Sequence, residues 1–141
     1  MSGDTALIVI QDLYQAKAKY CRTLDTKDWE EFATVLAPDV RLDLSDGNPD
    51  IEPIIGRDEV IAAIKESVAG ARTVHQVHIP EVEISGGGDE AQAIWPVQER
   101  VIWDNGTSLT AFGHYHDRWV RTDGQWALAE SKLTHIIMDF G

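Results

Sequence analysis

The chain has 141 residues, 43% of them hydrophobic and 26% charged, the size and balance of one globular domain (1–141) that buries a core without staples. Its formal net charge of −12 repels phosphate backbones and anionic lipid, which argues against nucleic acid and membrane partners. Cys21 is the single cysteine, Met1-Ser2-Gly3-Asp4 lacks the positive start of a signal peptide, and no apolar run approaches a membrane span, so the expectation is a cytoplasmic protein without an internal disulfide.

Leu7, Ile10, Leu13, Tyr14, Ala18, Cys21 and Leu24 recur at three- and four-residue steps and predict a helix from about Thr5 to Leu24. After a break at Asp25-Thr26-Lys27, Asp28-Trp29-Glu30-Glu31 reads as a capping box, with Asp28 as cap and Glu31 reaching back. Trp29, Phe32, Val35 and Leu36 form the apolar stripe of this second helix, and Pro38 is expected to end it. Val40 to Leu44 alternates and predicts a strand; Ser45 to Pro53 is a loop rich in Asp, Gly, Asn and Pro. Arg57 to Ala69 carries Val60, Ile61, Ile64 and Val68 on one helical face, with Gly70 placed to stop it.

From Thr73 the period changes from helical to alternating. Four strands are predicted at about Thr73–Ile84, Ala91–Trp103, Ser108–Arg121 and Gln125–Met138. The last two turns carry Asn105-Gly106 and Asp123-Gly124, the strongest short hairpin signals. Helices first and hairpins after is an α+β order, with the helices packed on one face of a mostly antiparallel sheet.

Alternation also sorts side chains by face. His75 shares a face with Val77 and Ile79, and His78 with Val74 and Gln76. Ala91, Ala93, Trp95, Val97, Val101 and Trp103 make one apolar face, interrupted by Glu99. A carboxylate there must be paired or coordinated, because burying an unpartnered charge is costly. Phe112, His114 and His116 share one face of the third strand; Tyr115 and Trp119 share the other. The bland alternatives are a satisfied core histidine at 75, an edge or Arg-paired Glu99, and a loop role for Asp25. A metal site is disfavoured, because His75 and His78 face opposite ways and no ligands fall at a familiar spacing.

Tyr20-Cys21-Arg22-Thr23-Leu24-Asp25-Thr26-Lys27-Asp28-Trp29, Leu36-Ala37-Pro38-Asp39-Val40, Thr73-Val74-His75, Gly113-His114-Tyr115-His116 and Asp123-Gly124-Gln125-Trp126 resemble the SnoaL-like branch of the nuclear transport factor 2 superfamily over nearly the whole chain. The resemblance implies a cone-shaped α+β fold, a curved sheet around N-terminal helices with a pocket between them. It extends to scytalone dehydratase, bile-acid dehydratase and hexachlorocyclohexane dehydrochlorinase, all lyases that use no cofactor. Asp25 and His75 stand at the Asp and His positions those enzymes share, and Tyr20 is similar to the tyrosine of the bile-acid enzymes. Glu99 falls where those enzymes carry an acidic residue, with Gln98 one residue away as the alternative. His116 lies where scytalone dehydratase has a polar pocket residue. The late arginine of the bile-acid enzyme has no clear equivalent; Lys132 and His135 are nearby.

These positions fit acid–base chemistry. A neutral imidazole at His75 exchanges protons with carbon or a leaving hydroxyl while Asp25 fixes its tautomer. Tyr20 donates its phenolic proton to substrate, and Glu99 or His116 serves as a second proton carrier. Trp95 and Phe112 join Glu99 and His116 as candidate substrate-binding residues, and the apolar lining suits a small hydrophobic cyclic molecule. Cys21 has no base partner in the sequence and takes no nucleophilic role. The expectation is a lyase or isomerase with no cofactor and no metal; the alternative is a non-catalytic ligand-binding or dimeric assembly module of the same fold. Apolar residues on both faces of the long strands predict a homodimer.

Overall fold

The computed structural model describes residues 2–141. The first helix, α1, spans Gly3–Asp25. It starts two residues earlier than periodicity predicts, because the Ser2 hydroxyl caps it by accepting from the Thr5 N–H at 3.1 Å. Its buried stripe is Val9, Leu13, Lys17, Tyr20, Cys21 and Leu24. The second helix, α2, is only Trp29–Ala33. Asp28 caps it by accepting from the Glu31 N–H at 3.4 Å, but the Glu31 carboxylate pairs with Lys19 at 3.0 Å rather than reaching back.

The stripe expected on α2 is divided between two elements. Trp29 and Phe32 stay helical, while Leu36 opens the strand β1, Leu36–Asp43. The sheet claims it: the Leu128 N–H donates to the Val35 carbonyl at 2.7 Å, and Leu36 pairs with Leu128. Pro38 therefore lies inside a strand. It sits where pairing lapses between Leu36 and Arg41, so its missing N–H costs no ladder bond.

A two-residue strand, β2 (Ile54–Ile55), lies on the outside of β1, and the helix α3 follows at Arg57–Ser67. The predicted strand from Thr73 to Ile84 is two pieces, β3 (Ala71–Val77) and β4 (Glu81–Ser85), both antiparallel to β5 (Glu90–Trp103). Val77 pairs with Val97 and Glu81 with Ile94. One strand thus advances a residue further than the other, and Pro80, which cannot donate, sits in that bulge. The two long strands β6 (Ser108–Thr122) and β7 (Gln125–Phe140) complete the hairpins. Asp123 and Gly124 both have positive φ, 53° and 75°, as the tight two-residue turn between them requires.

The sheet order is β2-β1-β7-β6-β5-β3, with β4 beside β5. Every pairing is antiparallel except β1 with β7. This is a mixed α+β architecture in which helices pack against a curved, open sheet whose edges do not meet. Trp95 and Trp119 of the inner face are buried with Leu13, Phe32, Leu36 and Leu128. Each such side chain contributes about 1.5–3 kcal/mol of burial, which fixes α1 against the strands and so fixes where α1 ends.

Candidate active site

Asp25 is the last residue of α1, and β3 runs past that helix end. Three donors from β3 converge on its carboxylate. Oδ1 accepts from the Thr73 hydroxyl at 2.9 Å and from Nδ1 of His75 at 2.7 Å; Oδ2 accepts from the His75 backbone N–H at 2.8 Å. Backbone and ring of one residue grip one carboxylate, so the imidazole plane is set and Nδ1 carries the proton.

His75 pairs in register with Glu99 on β5, which puts both side chains on the inner face. Glu99 Oε2 lies 3.1 Å from Nε2 of His75. Its other oxygen, Oε1, lies 3.0 Å from Nε2 of His135 on β7. His135 in turn is held by Asp46, whose Oδ2 accepts from the backbone N–H at 2.8 Å and from Nδ1 at 3.0 Å. Asp25, His75, Glu99, His135 and Asp46 form one alternating chain of carboxylates and imidazoles.

Electrostatics follow from that chain. Burial works against a charged His75, but the hydrogen bonds and charges of Asp25 and Glu99 outweigh it and hold its pKa up at about 9. Burial likewise favours a neutral Glu99, yet His75 and His135 hold its pKa below the ordinary value. At neutral pH His75 is an imidazolium flanked by two carboxylates. The neutral ring expected from sequence is not the resting state, because the second carboxylate occupies Nε2.

Tyr20 is buried on α1, edge-on to Tyr115 and tilted against Phe32. Burial, then the charges of Asp117, Glu99 and Asp25, push its pKa well up, so the phenol stays a donor. Burial raises the Cys21 thiol to about 11, which leaves it unreactive at neutral pH. Lys17 has no solvent exposure and places Nζ 3.6 Å from the Tyr115 ring centroid and 4.3 Å from that of Tyr20. Its counter-ion is Asp117 at 2.8 Å, which also accepts from Ser131 and Trp119.

Trp95 lies on the same inner face as Glu99, four residues along β5. With Tyr14, Val77, His78, Ile79 and Pro80 it lines a mostly apolar hollow of about 510 Å³. His116 and Phe112 are a correction. Ala111 pairs with Glu99 and Tyr115 with Trp95, so the alternate residues Phe112 and His116 point through the opposite face. His116 Nε2 there lies 3.0 Å from the Thr134 hydroxyl. Of the expected residues, Asp25, His75 and Glu99 are in contact, Tyr20 and Trp95 are on the same side, and His116 and Phe112 are on the other. Glu99 rather than Gln98 makes the contact; Gln98 bonds Gln76.

Sequence reasoning missed Asp46 and the full part of His135. It also passed over Lys17, although its spacing from Leu13 and Cys21 places it on the buried stripe of α1. Among the described residues, no group of three or more His, Cys, Asp and Glu side chains surrounds a point that could hold a metal ion; the site's imidazoles are committed pairwise to carboxylates.

The SnoaL-like domain family matches residues 6–132. The chain belongs to that family. A protein of Gibberella zeae named as a probable cyclase is 26% identical to this SnoaL-like domain over 135 residues, covering 88% of this chain and 89% of its own. The fold is shared with a Novosphingobium aromaticivorans protein assigned as a scytalone dehydratase, at TM-score 0.88 and 21% identity over 98% of this chain and 91% of that one. It is shared also with a hexachlorocyclohexane dehydrochlorinase of Novosphingobium barchaimii, at TM-score 0.85 and 13% identity over 99% and 94%. The NTF2-like cone is therefore the fold of this domain.

Proposed function

We propose that this SnoaL-like domain is a cofactor-free lyase or isomerase acting on a small hydrophobic cyclic molecule, with Asp25 and His75 as its acid–base pair. The observation that carries the reading is the His75 ring, held on Nδ1 by Asp25 at 2.7 Å and on Nε2 by Glu99 at 3.1 Å. A partly buried group with a strongly raised pKa and a fixed orientation is a poised proton donor. In a dehydration, the His75 imidazolium gives its Nε2 proton to the leaving hydroxyl and the Glu99 carboxylate takes the proton from the adjacent carbon. The C–O and C–H bonds break, water leaves, and Glu99 returns its proton to His75, so the cycle closes without a cofactor. Tyr20 donates to a substrate oxygen from α1. The hollow beside Trp95 and Val77 continues the same wall and receives the apolar body of the substrate. The cyclase and dehydratase names of the relatives are in keeping with this chemistry.

The test is a screen of the pure protein against hydroxylated cyclic compounds, scored by loss of water in the product mass. Turnover that falls by about 10²-fold or more in His75→Ala and in Asp25→Asn supports the reading. A compound that binds tightly and is never converted replaces it with a ligand-binding module.

The domain works as a homodimer in this reading. The outer face of the sheet exposes Val74, Phe112 and Ile137, with Phe112 and Ile137 paired across β6 and β7. The helices cover the other face, and a second copy would cover this one.

A further inference from the structure

His135 is where it is because of a glycine. A side chain at Gly113 would put its Cβ 1.8 Å from the Thr134 carbonyl oxygen, so only glycine lets β7 approach β6 this closely. Gly113 pairs with His135 and Phe112 with Ile137; Ile136 is therefore the extra residue of a bulge. Alternation through Leu133, which pairs with Tyr115, puts His135 on the inner face and onto Glu99, and the bulge that follows sends Ile137 to the outer face. The loop after β1 then folds back so that Asp46 fixes both the backbone N–H and Nδ1 of His135. Two separate devices, strand register and a loop, aim one imidazole at a carboxylate that already binds another.

The side chains grade outward. His75 is 8% exposed, Glu99 10%, His135 17% and Asp46 31%. His75 is the poorest placed of the four to meet water, and Asp46 the best.

We infer that Glu99, His135 and Asp46 form a proton relay connecting the His75 ring to solvent, with His135 as its carrier. The inference rests on the acid–base reading of Asp25 and His75 for its purpose, although its geometry is independent of any substrate. In one passage, Nε2 of His135 gives its proton to Oε1 of Glu99. The carboxyl turns about its Cγ–Cδ bond and yields that proton to Nε2 of a His75 that has spent its own. Glu99 ends as a carboxylate and His135 as a neutral ring, which water at the loop edge reprotonates. Asp46 keeps Nδ1 in place, so that Nε2 is the atom that gives and takes the proton. The relay allows His75 to change its protonation without opening the site, as an isomerisation with exchange of the migrating proton requires.

The test follows the exchange of the His75 Nε2 proton with solvent, by NMR of the whole protein carrying ¹⁵N-labelled histidine and no ligand. In His135→Gln the amide still donates to Glu99 but cannot pass a proton. Exchange at His75 slows by about tenfold or more if His135 is the carrier, and Asp46→Asn slows it in the same direction. Exchange that is unchanged or faster in these variants overturns the relay and leaves His135 as a mere cover over Glu99. If His135→Gln fails to fold, Asp46→Asn decides alone by the same criterion. Because the readout needs no substrate, it stands apart from the acid–base reading, which fails if His75→Ala leaves turnover intact or if a bound compound is never converted.

Discussion

Two carboxylates hold His75 from opposite ends of its ring, and the balance of burial against pairing decides its charge. The folded pKa of about 9 lies above the unfolded value of 6.5. The sign is therefore that of a group stabilised by protonation: its contribution is fully present below pH 6.5 and is lost as pH rises through 9. Stability measured by urea unfolding should fall across that window, by at most about 3.5 kcal/mol, and His75→Ala should flatten the profile there. In turnover, His75→Ala and Asp25→Asn should lose similar amounts. The double variant should lose little more, because the two act as one unit. Lys17 is a different case. It is fully buried, and among the described residues its charge is balanced by Asp117. Lys17→Met leaves that carboxylate buried without a cation and should destabilise the fold by about 3–5 kcal/mol, read as a shift in the urea midpoint.

At the scale of elements, the site exists because three elements end or bend at one place. α1 stops at Asp25 beside β3; β3 breaks after Val77 at the Pro80 bulge; β7 bulges at Ile136 opposite Gly113. The last of these is the most sensitive to substitution. Gly113→Ala drives a methyl group into the Thr134 carbonyl, and β7 must retreat. The expected cost is about 3 kcal/mol of stability, measured by chemical denaturation, together with loss of the His135 contact to Glu99. An alanine on the exposed face of β6 should cost far less.

At the scale of the molecule, one face of the curved sheet is filled by helices and the other is bare. The apolar pair Phe112 and Ile137, with Val74 on β3, remains in water on the bare face. The homodimer proposed from it predicts twice the 15.7 kDa chain mass by light scattering at micromolar concentration. Ile137→Glu should shift that mass to the monomer, since a charge placed in an apolar contact is left unpaired. A monomer mass for the unaltered chain would leave the outer face without a role in assembly. The net charge of −12 opposes association, so added salt should strengthen the dimer.

Elements whose signals are local are legible in the amino-acid order. α1 is read from its three- and four-residue steps, the final hairpins from Asn-Gly and Asp-Gly turns, and the inner faces of β3, β5 and β6 from strict alternation. Alternation alone put His75 and Glu99 on apolar faces, and resemblance put Asp25 beside them. The same parity, read from the third strand, sets His116 and Phe112 opposite Tyr115, a separation that the resemblance overrode. Tertiary structure decided what depends on long-range pairing. Leu36 left its helix for the sheet because β7 offered it a partner 92 residues away. β1 lies parallel to β7, and no turn signal encodes a parallel neighbour. Asp46 reached His135 across 89 residues. The charge on His75 required a second carboxylate, brought by strand register rather than by anything near it in the chain. Local sequence fixes dihedral preferences and the side a residue faces; which distant residues then meet is set by burying the core, and the proton chemistry of the site follows from those meetings.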